Sequence, residues 1–221
     1  MISVVVPIYN EVAVLDELEA RIRAALPGPA EIIFVDDQST DGSTETLSAM
    51  APPVRHLRQT TNGGQWQATR AGLQAAEGDI VVVLDGDLQD PPELIPALVQ
   101  TLRTAETDVV FATRTARSEP LWFLVGRRGY RLLQFVVNAG NVVPSGVGSY
   151  CAMRSSVARR AARVRLRHAN LAAVLVSQRV SWASVPYRRD PRADGPSRVG
   201  LRGLVREALG SLYILSPLSR G

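Results

Sequence analysis

Residues 80–90 read Ile80-Val81-Val82-Val83-Leu84-Asp85-Gly86-Asp87-Leu88-Gln89-Asp90, an uninterrupted apolar run that ends in a cluster of acidic residues. Consecutive apolar residues that include three valines are typical of a strand buried on both faces of a parallel sheet. Asp85 and Asp87 follow this strand directly, and two carboxylates at this spacing can face the same cleft. Carboxylate oxygens are ligands that Mg²⁺ and Mn²⁺ prefer. An isolated acidic turn has the same appearance, so the metal interpretation depends on what the neighbouring strands carry.

The first 113 residues alternate strand and helix patterns around this run. Apolar runs predict further strands, and apolar residues at helical spacing predict the helices between them. This alternation predicts a single α/β domain in which a mostly parallel sheet is flanked by helices. Ligands of such sheets bind beyond the carboxyl ends of the strands. The predicted strands are 2–6, 31–35, 54–57, 80–84 and 108–112, and the predicted helices are 12–26, a segment opening at Asp41-Gly42-Ser43, 65–76 and 93–104.

Polar segments follow the predicted strands. Pro7-Ile8-Tyr9-Asn10-Glu11 offers an aromatic ring and a ribose acceptor, and Asp36-Asp37 offers carboxylates to a base or ribose. Asn62-Gly63-Gly64-Gln65 offers backbone N–H groups at a helix start, where anions bind well. Each segment alone is also an ordinary turn. Together, at the ends of consecutive strands, they favour a nucleotide site.

The second half of the chain has a looser pattern. It predicts strands at 149–153 and 180–185, helices at 157–164 and 169–176, and a polar loop at 188–198. Two amphipathic segments, 121–137 and 201–218, have two open interpretations: contact with a membrane interface, or packing on the core. Basic residues interrupt both segments, and no apolar run reaches the length of a membrane-spanning helix.

Charge is divided unevenly between the two halves. Residues 1–113 contain 6 Arg and 17 acidic residues, whereas residues 114–221 contain 19 Arg and 4 acidic residues, with no Lys anywhere. An acidic half suits a metal, and an Arg-rich half suits phosphates or an anionic membrane face. A general preference for Arg explains the missing Lys but not the segregation. No nucleic-acid-binding module is recognisable, so nucleic acid is not an expected partner.

The polar segments, taken together, resemble family 2 glycosyltransferases. The similarity rests on Val6-Pro7-Ile8-Tyr9-Asn10-Glu11, Val35-Asp36-Asp37-Gln38-Ser39-Thr40-Asp41-Gly42, the Asn62–Gln65 segment and the stretch from Asp85 to Glu93. Within the family, Leu88-Gln89-Asp90-Pro91-Pro92 resembles the dolichol- and polyprenyl-phosphate branch. Arg192-Ala193-Asp194-Gly195-Pro196-Ser197-Arg198 is similar to a basic loop of that branch. The resemblance is specific over residues 2–114 and looser beyond them.

The resemblance implies a GT-A type fold, an inverting reaction and a divalent ion, Mg²⁺ or Mn²⁺. It implies a nucleotide- and metal-binding half at 1–114 and an acceptor-binding half at 115–221, within one catalytic domain. The predicted metal ligands are Asp85, Asp87 and Gln89, and the predicted catalytic residues are Asp87, Arg114 and Ser149. The predicted donor- and phosphate-binding residues are Pro7, Tyr9, Asn10, Glu11, Asp37, Gly64, Gln65, Asp85, Gly86, Arg117, Arg192, Ser197 and Arg198.

One position departs from the family pattern. Part of the branch carries a Gly-Asp-aromatic motif that supplies a candidate base, and the matching stretch here is Gly148-Ser149-Tyr150-Cys151. A sugar hydroxyl acceptor needs deprotonation, whereas a polyprenyl phosphate is already an anion and needs positioning instead. Ser149 is therefore compatible with a lipid phosphate acceptor and leaves the identity of any base open.

The predicted function is transfer of a sugar from a UDP-, GDP- or dTDP-sugar to a polyprenyl phosphate at the cytoplasmic membrane face. A soluble enzyme of the same family that acts on a hydroxyl or amine is the first alternative, and a non-catalytic nucleotide-sugar-binding subunit is the second. The predicted location is cytoplasmic, because Met1 runs directly into a strand and Cys151, the single cysteine, excludes an intramolecular disulfide. Peripheral contact with the membrane, a homo-oligomer and a membrane-anchored partner subunit all stay open.

Overall fold

The computed structural model of the protein describes residues 1–26, 28–115, 143–167, 169–189, 210, 213 and 214. Strands and helices alternate through the first 114 residues, as the hydrophobic pattern predicts. The strands are β1 (Ile2–Ile8), β2 (Ala30–Asp36), β3 (Val54–Arg58), β4 (Ile80–Val83), β5 (Val109–Arg114), β6 (Val147–Arg154) and β7 (Trp182–Tyr187). The helices are α1 (Leu15–Ala25), α2 (Ser43–Ala49), α3 (Gln65–Ala75), α4 (Ile95–Thr104), α5 (Ser155–Ala161) and α6 (Leu171–Ser177), with short 3₁₀ turns at Val12–Val14 and Pro92–Leu94.

The strands form one seven-stranded sheet in the order β3-β2-β1-β4-β6-β5-β7. β1 runs parallel to both β2 and β4, β2 runs parallel to β3, and β5 runs parallel to β7. β6 lies between β4 and β5 and is antiparallel to both. The predicted α/β fold with a mostly parallel sheet in a single domain is therefore confirmed.

Apolar side chains cover both faces of the sheet. Alternate strand residues point to opposite faces, so Val5 and Val83 belong to one core cluster whereas Val4 and Val82 belong to the other. The first cluster packs against α3, α5 and α6, and the second packs against α1 and α4. Burial on both faces explains why the central strands read as continuous apolar runs.

Gly72 allows α3 to lie close to the sheet. A Cβ atom at this position would stand 2.3 Å from Cγ1 of Val5 and 3.1 Å from Cγ2 of Val35. The helix thereby approaches β1 and β2 along its buried face, which also carries Trp66 and Leu73. This close packing fixes the N-terminal end of α3, which carries Gln65, relative to the ends of the strands.

Several predicted boundaries differ from the structure. The predicted helix 12–26 begins with a 3₁₀ turn and becomes α-helical only at Leu15, and predicted helix 157–164 is α5, which ends at Ala161. β6 is longer than the predicted strand 149–153, and its antiparallel direction was not predicted. β6 comes from the second half of the chain but pairs with β4 of the first, so the sheet draws on both predicted halves. The division at residue 114 stays a prediction.

Two predicted amphipathic segments fall mainly outside the described residues. Segment 121–137 lies outside them entirely, and of segment 201–218 only Gly210, Tyr213 and Ile214 are described. Ile214 is buried in the core cluster that contains α6. Within the described ranges, no helix has the length and apolar character needed to span a membrane.

Candidate active site

The chain topology brings the predicted motifs to one edge of the sheet. β1 lies between β2 and β4 and is parallel to both, so the polar segments that follow these three strands are neighbours. β5 and β7 end at the same edge, because each is parallel to the other and antiparallel to β6. β6 begins there, which places Ser149 opposite the end of β4. We call this the C-terminal edge of the sheet.

Asp85 is fixed by two neutral donors. Its Oδ1 atom accepts a hydrogen bond from Nε2 of Gln65 at 2.6 Å and another from Oγ of Ser149 at 2.5 Å. Burial and the neighbouring charge of Asp90 raise the pKa of the Asp85 carboxyl to about 6, although the Ser149 hydrogen bond opposes this shift. Three predicted site residues, distant in sequence, therefore meet at one carboxylate oxygen.

Arg189 lies among the acidic residues that follow β4. Its Nη2 atom is 3.5 Å from Oδ2 of Asp85 and 3.8 Å from Oδ2 of Asp87, and its Nε atom is 3.4 Å from Oδ1 of Asp90. Sequence reasoning missed this residue. It belongs to the predicted polar loop 188–198, and only its position two residues after the last strand signals a role at this edge.

Asp90 links the acidic segment, which we define as residues 85–90, to the end of β7. The side chain of Asp90 is fully buried, and its Oδ1 atom accepts a hydrogen bond from the hydroxyl group of Tyr187 at 2.5 Å. The same hydroxyl oxygen accepts from Nε of Arg114 at 3.3 Å. Burial and the Asp90 charge raise the pKa of the Tyr187 phenol. Asp90 and Tyr187 were not predicted as site residues, although Asp90 belongs to the motif Leu88-Gln89-Asp90-Pro91-Pro92.

Gly148 makes room for the predicted catalytic Arg114. A Cβ atom at residue 148 would lie 2.8 Å from Nη2 of the Arg114 guanidinium. Arg114 is half-buried, and the hydrogen bond to Tyr187 raises the pKa of its guanidinium although burial acts in the opposite direction. The structure thus places Arg114 near the acidic segment, with its charge retained.

Asp37 shapes the loop before α3. Its Oδ1 atom accepts a hydrogen bond from the N–H group of Gly63 at 2.8 Å, and its Oδ2 atom accepts from Gly64 at 2.7 Å. The N–H groups of Gly63 and Gly64, offered above as donors to an anion, already donate to Asp37, and contact of Gly64 with the donor stays a prediction. Burial raises the pKa of Asp37, although these two hydrogen bonds act against the increase. Contact of Asp37 with a nucleoside stays a prediction.

Asn10 joins the segments after β1 and β2. Its Oδ1 atom accepts from the N–H group of Thr40 at 2.7 Å, and its own N–H group donates to Oγ of Ser39 at 2.9 Å. Asn10 therefore orders the loop, and a direct donor contact stays a prediction. The neighbouring Tyr9 side chain is 42% exposed at the C-terminal edge, so a planar ligand can reach its ring. Pro7 and Glu11 flank the same segment, and Glu11 donates its N–H group to Ser43.

Gly86 is required by packing beneath the acidic segment. It is buried, and a Cβ atom there would stand 2.4 Å from Cδ1 of Ile8 and 3.1 Å from the carbonyl oxygen of Pro7. The absence of a side chain lets the turn between Asp85 and Asp87 lie against the end of β1. This packing gives a structural reason for the glycine, which was predicted as a binding residue.

The carboxylates at this edge fit a divalent cation that takes some of its ligands from the protein and the others from a substrate. The Oδ2 atoms of Asp85 and Asp87 lie 3.5 and 3.8 Å from the same nitrogen atom of Arg189, so one cationic group neighbours both carboxylates. We call the site of that nitrogen atom the cation position. Gln89 donates its N–H group to Oδ1 of Asp87 at 3.2 Å. No group of three or more His, Cys, Asp or Glu side chains in the described ranges is arranged to hold a metal ion. Mg²⁺ commonly binds in this way, through one or two carboxylates together with substrate phosphates.

The predicted residues divide into four groups. Five of them belong to the chain segments 7–11 and 85–90 at the C-terminal edge: Pro7, Tyr9, Glu11, Gly86 and Gln89. Asp85, Asp87, Gln65, Ser149 and Arg114 lie together at the C-terminal edge, around the acidic segment. Asn10, Asp37 and Gly64 order the loops of that edge. Four predicted phosphate-binding residues lie outside the described residues: Arg117, Arg192, Ser197 and Arg198.

A solved structure with the same fold is glucosyl-3-phosphoglycerate synthase from Mycobacterium tuberculosis, in complex with Mn²⁺ and UDP-glucose. The TM-score is 0.69 at 22% sequence identity, and the match covers 97% of this chain and 78% of that chain. The same synthase in complex with Mn²⁺, UDP and glucosyl-3-phosphoglycerate matches with a TM-score of 0.67 at 24% identity. At these identities the likeness concerns the fold, which confirms the GT-A type.

Curated relatives extend the comparison to sequence. The chain is 30% identical over 227 residues to the uncharacterized glycosyltransferase YkcC of Bacillus subtilis, covering 97% of this chain and 68% of that protein. It is 44% identical over 130 residues to the undecaprenyl-phosphate 4-deoxy-4-formamido-L-arabinose transferase of Pseudomonas aeruginosa, covering 55% of this chain. The chain spans only 38% of the length of that transferase.

The family assignment rests on most of the chain. Residues 3–161 match the sequence profile described as Glycosyl transferase family 2, a range that begins within β1, ends with α5 and includes the acidic segment. The profile, the curated relatives and the fold agree with one another. The chain belongs to glycosyltransferase family 2.

Proposed function

We propose that this protein transfers a sugar from a nucleotide-sugar to a polyprenyl phosphate, with inversion at the anomeric carbon. The observation that carries the proposal is the convergence of Asp85 and Asp87 on one cation position at the C-terminal edge, beside the half-buried Arg114. A site of this kind can bind a diphosphate on one side and accept an anionic nucleophile on the other. The similarity to an undecaprenyl-phosphate transferase supports the choice of acceptor.

The donor's nucleoside is proposed to lie over the ends of β1 and β2. The exposed Tyr9 ring offers a flat apolar surface to a base, and Pro7 and Glu11 adjoin it. Asn10 and Asp37 hold the surrounding loops through hydrogen bonds to backbone N–H groups. A rigid loop arrangement reduces the entropy that binding would otherwise cost.

Asp85 and Asp87 are proposed to hold Mg²⁺ or Mn²⁺, with Gln89 as a third ligand. A divalent ion bound there would act as a Lewis acid on the leaving diphosphate. The chain's own contribution is orientation: Gln65 and Ser149 hold Oδ1 of Asp85 and leave Oδ2 directed at the cation position. Outer-shell hydrogen bonds of this type fix ligand geometry.

Arg114 is proposed to stabilise the negative charge that develops on the leaving group. Its guanidinium is held by Tyr187 and accommodated by Gly148, so it needs little reorganisation during the reaction. Arg117, Arg192, Ser197 and Arg198 are proposed as further phosphate contacts on the basis of the family resemblance.

The acceptor phosphate is proposed to act as the nucleophile without a general base. Its oxygen attacks the anomeric carbon as the bond from that carbon to the diphosphate oxygen breaks, giving a polyprenyl phosphate sugar and a nucleoside diphosphate. A phosphate oxygen is already ionised at neutral pH, so no proton has to be removed. The hydroxyl group of Ser149, which donates to Asp85, is consistent with a position that needs no base.

The reaction is proposed to take place at the cytoplasmic face of a membrane, because the acceptor is a lipid. The Arg-rich second half of the chain would favour an anionic surface. A homo-oligomer and a membrane-anchored partner subunit are both compatible with this location.

The test is a transfer assay with UDP-, GDP- and dTDP-sugars, Mg²⁺ or Mn²⁺, and a short polyprenyl phosphate. We expect one of the donors to give a glycosylated lipid phosphate. We expect no such product when the metal is omitted or when the D87N variant replaces the wild type. The same assay with hydroxyl and amine acceptors serves as the comparison. Transfer to a hydroxyl or amine, with no glycosylated lipid, would contradict the proposed acceptor. Nucleotide-sugar binding without any turnover would contradict the enzyme.

A further inference from the structure

The guanidinium of Arg189 occupies the position on which Asp85 and Asp87 converge. We infer that Arg189 is a resident counterion of this carboxylate pair and competes with the divalent cation for it. The inference rests on the proposed metal site and deepens it, because it names the residue that sets how readily the site takes up metal. It is independent of which sugar or acceptor the enzyme uses.

The competition follows from the atoms involved. Nη2 of Arg189 lies 3.5 Å from Oδ2 of Asp85 and 3.8 Å from Oδ2 of Asp87, so one nitrogen faces one oxygen of each carboxylate. Oδ1 of Asp85 is already bonded to Gln65 and Ser149. A small divalent ion needs carboxylate oxygens at about 2.1 Å, so an ion bound through Oδ2 of Asp85 or of Asp87 would lie against the Arg189 guanidinium. Two cations beside the same oxygens repel each other.

The surroundings explain why a counterion belongs there. Three carboxylates, those of Asp85, Asp87 and Asp90, face the Arg189 side chain. Asp90 is fully buried, and its Oδ2 atom has no hydrogen-bond partner among the described residues. Buried carboxylates without a nearby cation are costly, so Arg189 stabilises the cluster before metal binds.

The end of β7 holds Arg189 in reach of the cluster. Tyr187 lies two residues before Arg189, pairs with Arg114 across β5 and β7, and donates a hydrogen bond to Asp90. The Arg189 side chain as a whole is 26% exposed, whereas its Nε atom, which faces Asp90, is buried. Arg189 follows the last residue of β7, Tyr187, so the guanidinium can leave the carboxylates without breaking a pairing of the strand.

Competition has a consequence for the order of binding. Metal alone must displace Arg189 from both carboxylates, so its affinity is reduced. A nucleoside diphosphate supplies new anionic oxygens for the displaced guanidinium, so nucleotide and metal strengthen each other's binding. By thermodynamic linkage this coupling is reciprocal. Removal of the Arg189 charge is then expected to tighten binding of metal alone and to weaken the coupling with nucleotide.

The experiment measures Mn²⁺ binding by electron paramagnetic resonance and calorimetry, with and without UDP, in the full chain and its variants. R189Q is expected to bind Mn²⁺ alone about tenfold more tightly than the wild type, since a positive charge near 4 Å has been removed. R189K keeps the charge and is expected to stay close to the wild type. R188Q is the matched control, because it removes the same charge from the adjacent exposed residue.

Several results would overturn the inference. They are unchanged or weaker Mn²⁺ binding by R189Q, equal tightening in R188Q, and equal tightening in R189K. Absence of Mn²⁺ binding in both wild type and R189Q would overturn it as well. Circular dichroism and thermal unfolding of R189Q verify that the variant is folded. R189K provides a second variant at the same position, in which the positive charge is retained. Mn²⁺ binding is measured without acceptor and without turnover. The competition can therefore be tested even if the proposed glycosyl transfer fails.

Discussion

The hydroxyl group of Ser149 donates a hydrogen bond to Oδ1 of Asp85 across a distance of 2.5 Å. The two residues are 64 positions apart and meet because β6 runs antiparallel beside β4. Gln65 donates to the same oxygen from the start of α3. Ser149 therefore orients the carboxylate that follows β4, and its hydroxyl hydrogen is directed at that carboxylate.

We predict that S149A lowers kcat/KM about tenfold without abolishing transfer. A hydrogen bond to a charged group contributes about 1.5–3 kcal/mol, and Gln65 retains a second donor on Asp85. Steady-state kinetics over donor concentration provides the measurement, with S149T as the variant that keeps the hydroxyl group. A complete loss of turnover in S149A would mean that Ser149 takes part in the chemistry itself.

Asp87 is predicted to be essential for metal binding. D87N keeps the shape of the side chain but removes the charge that faces the cation position, so we expect Mn²⁺ affinity and transfer to fall at least about 100-fold. D16N is the matched control, since Asp16 is exposed on α1. Chelation of the metal should have the same effect on the wild type. Turnover by D87N near the wild-type rate would exclude Asp87 as a metal ligand.

The sequence predicted the first half of the fold well because its signals are local. Buried parallel strands such as β4 appear as continuous apolar runs, and each is followed by polar residues. The rule that ligands bind beyond the strand ends then placed Asp85 and Asp87 at one site. The contacts of Gln65 and Ser149 with Asp85 add geometry to that prediction.

The remaining features depend on long-range pairing. The antiparallel direction of β6 follows from how a strand of the second half enters between β4 and β5, which no local pattern encodes. Arg189 reaches Asp85 only because β7 lies parallel to β5. The hydrogen bonds of Asp37 were also not predictable, because a carboxylate after a strand can accept hydrogen bonds from a ligand or from a neighbouring loop. Sequence spacing does not distinguish these two partners.

Tyr187 is predicted to stabilise the fold through its hydroxyl group. Y187F removes the donor to the buried Asp90, and we expect a loss of about 1–3 kcal/mol in the free energy of unfolding, measured with urea. Phenylalanine keeps the edge-to-face contact with Tyr150, whose ring centre is 5.8 Å away. A double-mutant cycle with D90N isolates the coupling between the two residues. A coupling free energy near zero would show that this hydrogen bond does not stabilise the protein.

Glu31 is predicted to make stability depend on pH. Burial raises the pKa of this carboxyl, but hydrogen bonds from Ser3, the N–H group of Glu77 and Arg55 together lower it below 4.5. Its contribution is therefore present in full above pH 4.5, the unfolded value, and is lost as pH falls through the lower folded value. The stability difference between wild type and E31Q, from urea unfolding, should be constant from about pH 6 to 8 and shrink below pH 4.5. A difference that does not change with pH would contradict the prediction.

Gly86 is predicted to set the position of the two metal-binding carboxylates. In G86A the new Cβ atom would stand 2.4 Å from Cδ1 of Ile8 and 3.1 Å from the Pro7 carbonyl oxygen, so the turn between Asp85 and Asp87 must shift. We expect a stability loss of about 1–3 kcal/mol and weaker Mn²⁺ binding. I8V removes the nearer atom, so G86A/I8V should recover part of both losses. G28A is the control, because no atom lies within 4 Å of a Cβ there. Wild-type Mn²⁺ affinity in G86A would show that the turn tolerates a side chain, and the carboxylates would then owe their position to Gln65, Ser149 and Arg189 instead.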